Sequence, residues 1–425
     1  MQAADIRPVE RGAQQQSPFD LFLIFVGANV VATTFQVGAS LAASFTPASL
    51  LALIAIGSVV GAALVAALAP LGSLLRVPSI VAARPALGFA GAGVVAVVLY
   101  VSNFAWIALN DVIAASASAR AAGDFFGPRA GSDTMWSIVL GLLATLVVWR
   151  GPRAVARADR IAVPLLLAIG VALTIACVRS PAAAVAAPVG AMSWARGLDV
   201  VIGYQVSWIL MFADYSRYTR SPGGSASAVF LALASTSAWM MPLGAVAARA
   251  AGSSDPGAMM QAVGLGAAGA VLLTLATLTT NFVNIYMSSL AWKSLFPRAG
   301  DAAVVWSIGL IGTALGAVPG VWLEKYSSFM VMLGGVLVPI GGLLIAHYYV
   351  RPARRDEALV AEMYDRSGPF RGFAAAGMAA WIAGAVVFFA TGRWTSVGGT
   401  LPALVTSVVV YSLTVQRAGA RHVPT

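Results

Sequence analysis

Gly27-Ala28-Asn29-Val30-Val31-Ala32-Thr33-Thr34-Phe35-Gln36-Val37-Gly38 sits in the middle of an apolar stretch, 19–43, long enough to cross a bilayer. In lipid every backbone polar group must be satisfied within its own helix, so a departure from plain apolar sequence at mid-depth carries information. Here glycines flank an amide, hydroxyls and β-branched residues. One reading is a helix that unwinds at its centre. The other is close helix packing through small residues. A second stretch of this kind, Gly203-Tyr204-Gln205-Val206-Ser207-Trp208, follows the weak helix formers Val200-Val201-Ile202. The two fall on the first and sixth spans, which correspond in a five-plus-five repeat. Broken helices at corresponding positions are the mark of a central binding site in inverted-repeat transporters.

The remaining sequence supports a membrane setting. The 425 residues are 59% hydrophobic and 10% charged, far below the roughly 25% charged residues of a soluble domain. Twelve apolar stretches are expected as spans: 19–43, 48–70, 90–115, 134–150, 161–178, 196–217, 225–248, 262–290, 303–321, 327–349, 371–391 and 399–416. The polar tails are 1–18 and 417–425, and 19–416 is one transmembrane domain. With a cytoplasmic N-terminus, 19 of the 26 Lys and Arg fall on the inner side; the rest are Arg120, Arg129, Arg179, Arg196, Arg249, Lys325 and Arg393. This bias orients the chain with both ends in the cytoplasm of a bacterial-type inner membrane. It also explains the net charge of +10 without nucleic acid. Trp136 and Trp149, near the two ends of the fourth span, suit an interfacial belt.

Polar residues inside the spans are the candidate site. Asn103, Trp106 and Asn110 share one face of the third span and suit a flat heteroaromatic ring, by stacking and by directed hydrogen bonds; helix–helix adhesion is the other reading. Asp111 is read as a residue near the outer interface rather than an intramembrane acid with a partner. In the eighth span Ala276, Thr280 and Asn284 are spaced by four, with Thr279 and Asn281 beside Thr280. Two hydroxyls and a carbonyl suit a small cation such as sodium, with unwound carbonyls completing the set. Alternatively the threonines bond back to their own helix. Asp214-Tyr215-Ser216-Arg217-Tyr218 reads as an anchored helix end. Cys177 supports no disulfide, two histidines support no zinc cluster, and no metalloprotease or phosphate-loop motif is present. No loop is long enough for a nucleotide domain, so energy comes from an ion gradient or transport is passive.

Across residues 18–416 the chain resembles the nucleobase–cation symporters, which include cytosine permeases and a sodium–hydantoin transporter. The resemblance rests on Asp214-Tyr215-Ser216-Arg217-Tyr218, Leu278-Thr279-Thr280-Asn281, and Val338-Pro339-Ile340-Gly341-Gly342 followed by His347-Tyr348 and Arg351. It also rests on a glycine in the first span and on Trp106. It implies a LeuT-type all-α fold: inverted five-helix repeats over about 19–178 and 196–349, plus two helices over 371–416. It implies a substrate site between spans one, three, six and eight, drawing on Asn29, Asn103, Trp106, Asn110, Tyr204, Gln205, Asn281 and Asn284. Trp106 stacks on the ring, and Asn103 or Asn110 bonds its edge. Gln205 stands where relatives often carry an aromatic residue, and the match of Asn284 is one residue out of register. His347 replaces an acid found in many relatives. The implied sodium site uses backbone oxygens of Ala28, Val31 and Ala276 and the hydroxyls of Thr279 and Thr280.

The sequence therefore points to a symporter, not an enzyme, that imports a nucleobase or a similar planar heterocycle (cytosine, purine, hydantoin or hydroxymethylpyrimidine type). Sodium or protons are the coupling ion and no other cofactor is expected. Its partners are the solute and the bilayer, with the chain a monomer or weak oligomer. The alternative within the fold is a carrier for an amino acid or vitamin, favoured by Gln205. The alternative outside it is a membrane enzyme or receptor.

Overall fold

The computed structural model describes residues 6–180, 192–296, 298–350, 354–394 and 396–420. Arg351 of the third motif, and Arg421 and His422, lie outside the described residues. The described chain is helical throughout, with no named strand. Six helices are long and apolar enough to cross a membrane alone: Pro47–Leu75, Arg84–Phe126, Arg160–Arg179, Pro222–Ala251, Gly266–Lys293 and Tyr326–Val350. A bent pair, Pro18–Asn29 and Ala32–Leu41, makes a seventh span, and Asp133–Trp149, Asp301–Gly316, Ala375–Thr391 and Thr400–Val415 are shorter apolar helices. A segmented sixth span completes the twelve.

Local chemistry sets the break in the first span. Ser17 caps the helix start, with Asp20 closing a capping box and Pro18 in the first turn. The helix ends at Asn29, where Val30 and Val31 leave helical geometry (Val31 φ −138°, ψ 164°). A second helix then departs at 55°. The sixth span breaks later than its sequence suggests. Trp194–Val206 remains helical through Gly203-Tyr204-Gln205-Val206, a 3₁₀ segment covers Ser207–Met211, and Phe212–Ser216 closes the span. Gly203 is a contact, not a hinge: a Cβ there would lie 2.1 Å from the Met330 carbonyl oxygen of the tenth span. The first span combines both readings, since Gly38 packs backbone-to-backbone against Met241, where a Cβ would meet the carbonyl oxygen at 1.7 Å. Small residues thus bring helices together on either side of the breaks.

The third span is longer than the apolar stretch that predicts it. Its helix enters through Gly88 at φ 77°, a left-handed position, and runs to Phe126. The outer extension is polar in sequence yet covered by the short helix Pro256–Ala262: Ser116 donates to Asp255 Oδ2 at 2.7 Å, and Arg120 pairs with Asp255 at 2.8 Å. At the opposite face the N-terminal segment folds under the bundle. Val9 N–H donates to the Arg76 carbonyl at 2.8 Å, Gln16 N–H to that of Tyr218 at 3.1 Å, and the Tyr364 hydroxyl to that of Ile6 at 2.5 Å. The ends of spans two and six and the segment 354–370 therefore gather on one face with the N-terminal segment.

Candidate functional site

A cavity of about 1150 Å³ runs from that N-terminal face to the level of the two breaks. Arg7, Glu10, Asp214 and Arg217 ring its mouth. Its inner end is walled by Ala28 and Val31 of the first span, Asn103 and Trp106 of the third, Tyr204 and Trp208 of the sixth, and Thr279, Thr280 and Asn284 of the eighth. Beyond Trp106 the way is shut. Its ring stands edge-on to Tyr204 (centroids 5.9 Å apart) and to Phe329 (5.4 Å). The Tyr326 hydroxyl donates to the Thr33 carbonyl at 2.6 Å, Tyr204 and Thr34 share a hydroxyl hydrogen bond, and Gln36 Nε2 donates to the Ser254 carbonyl at 2.9 Å.

One polar group of the wall is conspicuous for having nothing to bind. Both amide atoms of Asn103 are buried without a hydrogen-bond partner. Buried amides in folded proteins are nearly always satisfied. An unpartnered one on a cavity wall beside an indole can bond the edge of a flat polar solute whose face lies on the ring. Trp208, 9% exposed on the same wall, adds a second large aromatic surface. Its place in the broken segment was visible in the sequence, but the direction of its ring was not.

Four expected site residues face elsewhere. Asn29 Nδ2 donates to Thr236 Oγ1 at 2.8 Å and Ser237 Oγ at 2.9 Å in the seventh span. Gln205 Nε2 donates to the same Ser237 Oγ at 3.0 Å and to the Leu233 carbonyl at 3.2 Å. The two amides thus clasp the breaks of spans one and six to span seven. Asn110 Nδ2 bonds back to the Trp106 carbonyl at 2.8 Å. Asn281 Nδ2 donates to Asp111 Oδ1 at 2.9 Å, while Asn281 Oδ1 accepts from Asn284 Nδ2 at 3.3 Å. None of the four lines the cavity: Asn29, Gln205 and Asn281 find partners on neighbouring helices, and Asn110 turns back onto its own. Gln205 is therefore no substitute for an aromatic wall. Asp111, expected near the outer interface, is fully buried within the bundle.

Four of the five expected cation ligands meet at the cavity, and Ala276 does not line it. Ala28 and Val31 line the cavity with Thr279 and Thr280, and the backbone bond that Ala32 N–H would give Ala28 O in an unbroken helix is absent among the described residues. Both threonines bond back to their own helix, Thr280 to the Ala276 carbonyl at 2.6 Å and Thr279 to the same oxygen at 3.1 Å. The two readings of this pair are compatible. A hydroxyl that donates its one proton backward still has lone pairs for a cation. His347, at the other end of the tenth span, bonds the Tyr411 hydroxyl through Nδ1 at 2.6 Å.

Comparison with known proteins bears on the family and the fold. Residues 8–415 match the family described as permeases for cytosine/purines, uracil, thiamine and allantoin. The chain is 24% identical over 379 residues to YxlA of Bacillus subtilis (strain 168), a provisional purine-cytosine permease, with 83% of this chain and 79% of that protein covered. It is similar to the solved inward-facing conformation of Mhp1 (TM-score 0.84, 17% identity, 98% of this chain and 93% of that one). It is also similar to the closed conformation of Mhp1, a nucleobase-cation-symport-1 transporter, with bromovinylhydantoin bound (TM-score 0.80, 18% identity, 98% and 95%). A Na+-coupled sialic acid symporter matches at TM-score 0.51 and 12% identity over 96% of this chain and 98% of that one. These likenesses show the LeuT-type fold, with its two inverted repeats and two further helices. The chain is a multi-pass membrane protein and belongs to the permease family for cytosine/purines, uracil, thiamine and allantoin.

Proposed function

We propose that this permease is a secondary active symporter that imports a nucleobase or related planar nitrogen heterocycle with Na+ or H+ by alternating access. The observation that carries this reading is the inner end of the cavity, where Trp106 and an unpartnered Asn103 face the broken first helix. In the proposed complex the ring stacks on Trp106, with Trp208 as a second aromatic wall. Asn103 and Asn284 bond its edge. A sodium ion takes oxygens from Ala28, Val31, Ala276, Thr279 and Thr280, joining the broken helix to the eighth span. Cation binding then stiffens the break and favours the solute; the solute favours the cation by the same factor. The N-terminal face is the cytoplasmic one in this proposal, so the open cavity is an inward-facing state. The repeats run over about 19–178 and 196–349. A carrier for an amino acid or vitamin was favoured by Gln205, and that support lapses because Gln205 bonds the seventh span.

The test is competition uptake into proteoliposomes with a panel of nucleobases and hydantoins, with and without sodium. Heterocycle uptake driven by an imposed cation gradient is expected. Uptake indifferent to both sodium and proton gradients would falsify symport. Trp106→Ala removes a stacking surface worth about 1–3 kcal/mol per base, a roughly 5- to 150-fold loss of solute affinity. Thr280→Ala is expected to weaken sodium dependence with a smaller effect on solute affinity. The reverse pattern would show the two sites interchanged.

A further inference from the structure

Behind the cavity wall lies a carboxyl that the proposed solute and sodium sites leave unused. Asp111 is fully buried in the third span. Asn281 of the eighth span donates to its Oδ1 at 2.9 Å, and its Oδ2 has no hydrogen-bond partner. Thr313 Oγ1 of the ninth span, also buried and unpartnered, is beside it. Both oxygens crowd Gly141 of the fourth span, where a Cβ would lie 2.2 Å from Thr313 Oγ1 and 2.5 Å from Asp111 Oδ2. Only a glycine admits both groups at that point.

Among the described residues no cation offsets this carboxyl. The ionisable residues of the packed spans are Asp133 in the fourth, Tyr286 and Lys293 in the eighth, and Asp301 in the ninth. Lys293 pairs with Asp301, and Tyr286 lines the cavity among the residues of its mouth. On its own span Arg84 is held by the Met363 carbonyl at 2.8 Å, Tyr100 packs edge-on against Phe104 and tilted against Trp292, and Asp124 accepts from Gln261 at 2.9 Å. Arg120 is nine residues away, roughly 13 Å along a helix, and pairs with Asp255. Among the described residues none makes an ion pair with Asp111. A lone ionised carboxylate at this depth is costly, and intramembrane acids of this kind mark ion pathways.

We infer that Asp111 is a proton-binding site read by the cavity through Asn281 and Asn284. Binding forms one O–H bond on the carboxyl and neutralises it; the proton comes from water and returns to water, and nothing is oxidised or reduced. In the present arrangement every donor points toward the carboxyl: Asn284 Nδ2 to Asn281 Oδ1, then Asn281 Nδ2 to Asp111 Oδ1. Asn284 therefore keeps its carbonyl oxygen for the cavity. A proton on the bonded oxygen reverses the chain. The acid O–H donates to Asn281 Oδ1, the Asn281 amide turns, and Asn284 accepts from it and keeps its NH₂ for the cavity. Protonation thereby switches what the wall offers a solute from acceptor to donor. The proton site stands on the geometry alone; its use in transport rests on the proposed function.

Difference infrared spectroscopy on the purified full-length protein tests both. A protonated-carboxyl carbonyl band is expected in the wild type, to be lost in D111N and to disappear as pH is raised. The band is expected to shift in N281A and N284A, which read the link without any solute. Should D111N not fold, the N281A shift assigns the band. Absence of a protonated band assignable to Asp111 at any pH overturns the proton site, and an unshifted band in N284A overturns the link. In proteoliposomes without sodium, an inside-alkaline gradient is expected to stimulate wild-type uptake of cytosine, uracil, hypoxanthine or hydantoin, with the stimulation lost in D111N. Stimulation that survives in D111N overturns coupling through Asp111. A wild type that carries none of these solutes under any gradient refutes the transport reading instead, and the infrared result stands apart from it.

Discussion

Ser237 is the residue on which the clasp between spans one, six and seven turns. Its hydroxyl oxygen accepts from both Asn29 and Gln205, so Ser237→Ala leaves two buried amides each short of an acceptor. Thr236 and the Leu233 carbonyl remain as second partners. The expected cost is about 1 kcal/mol, read as a lower melting temperature in detergent, with the ranking of solutes unchanged. A changed ranking would return Gln205 to the substrate site. Glycine positions separate packing from hinge in the same way. Gly38→Ala drives a methyl into the Met241 carbonyl and is expected to cost about 1–3 kcal/mol. Gly27→Ala meets nothing within 4 Å and should leave melting unharmed. At this scale the sequence is least legible. It identified the polar residues at mid-depth, and Asn103, Trp106, Tyr204 and Asn284 do meet at one cavity. Asn29, Asn110, Gln205 and Asn281 are of the same chemical types and lie as deep, but three point at a neighbouring helix and Asn110 bonds back to its own. Spacing places a residue on a face; which neighbour that face meets depends on the packed bundle.

Among the elements, the N-terminal segment is held by contacts that composition alone leaves open. Gln14 Nε2 donates to the carbonyls of Ser73 at 3.0 Å and Arg217 at 3.1 Å, and Glu357 accepts from Arg76 and Arg11. The Arg76 guanidinium, with Arg11 beside it, holds the Glu357 carboxyl below its ordinary range. A lowered folded value means that the contact stabilises fully above the unfolded carboxylate range, near pH 4.3, and is lost as pH falls through the folded value. Hydrogen exchange at the Val9 amide, bonded to Arg76, should therefore rise in acid relative to the intrinsic rate of an unprotected amide at the same pH. Glu357→Gln should bring part of that increase to neutral pH, up to about fivefold for an exposed pair, and flatten its acid dependence. An unchanged rate would show that Gln14 and Tyr364 hold the segment unaided. The breaks were more readable than this strap. Flanking glycines and β-branched residues located the first-span break within its own stretch, because backbone weakness there is local. The sixth-span break lies at Ser207–Met211 instead of at Gly203, because Gly203 serves contact with Met330, a demand from a distant part of the chain.

At the scale of the molecule, the twelve spans followed from hydropathy, and the alternation of Lys and Arg matched the gathering of the N-terminal segment with the ends of spans two and six. Which side of the site is open was not legible, since a carrier that alternates access, as proposed for this chain, encodes both states in one sequence. In this structure the cavity reaches Ser102 from the N-terminal face, while Gln36 on the other side is buried and bonded to Ser254. Cys177 is 1% exposed, so the protein offers a quiet background for labelling by a thiol reagent. Ser102→Cys is expected to react readily in sodium-free buffer, and Gln36→Cys slowly. If sodium and solute favour the opposite state, adding them reverses the order. A tenfold fall in labelling of Ser102→Cys corresponds to about 1.4 kcal/mol of differential binding between the two states, and a ligand that binds both equally shifts nothing. The two positions must move in opposite directions for the motion to be alternating access. If Ser102→Cys is protected while Gln36→Cys stays silent, the solute merely shields the cavity it fills. If both become more reactive, the bundle is loosening. Only reciprocal exchange ties the broken first helix, whose two halves reach the cavity and the Gln36 seal, to a change of access across the whole molecule.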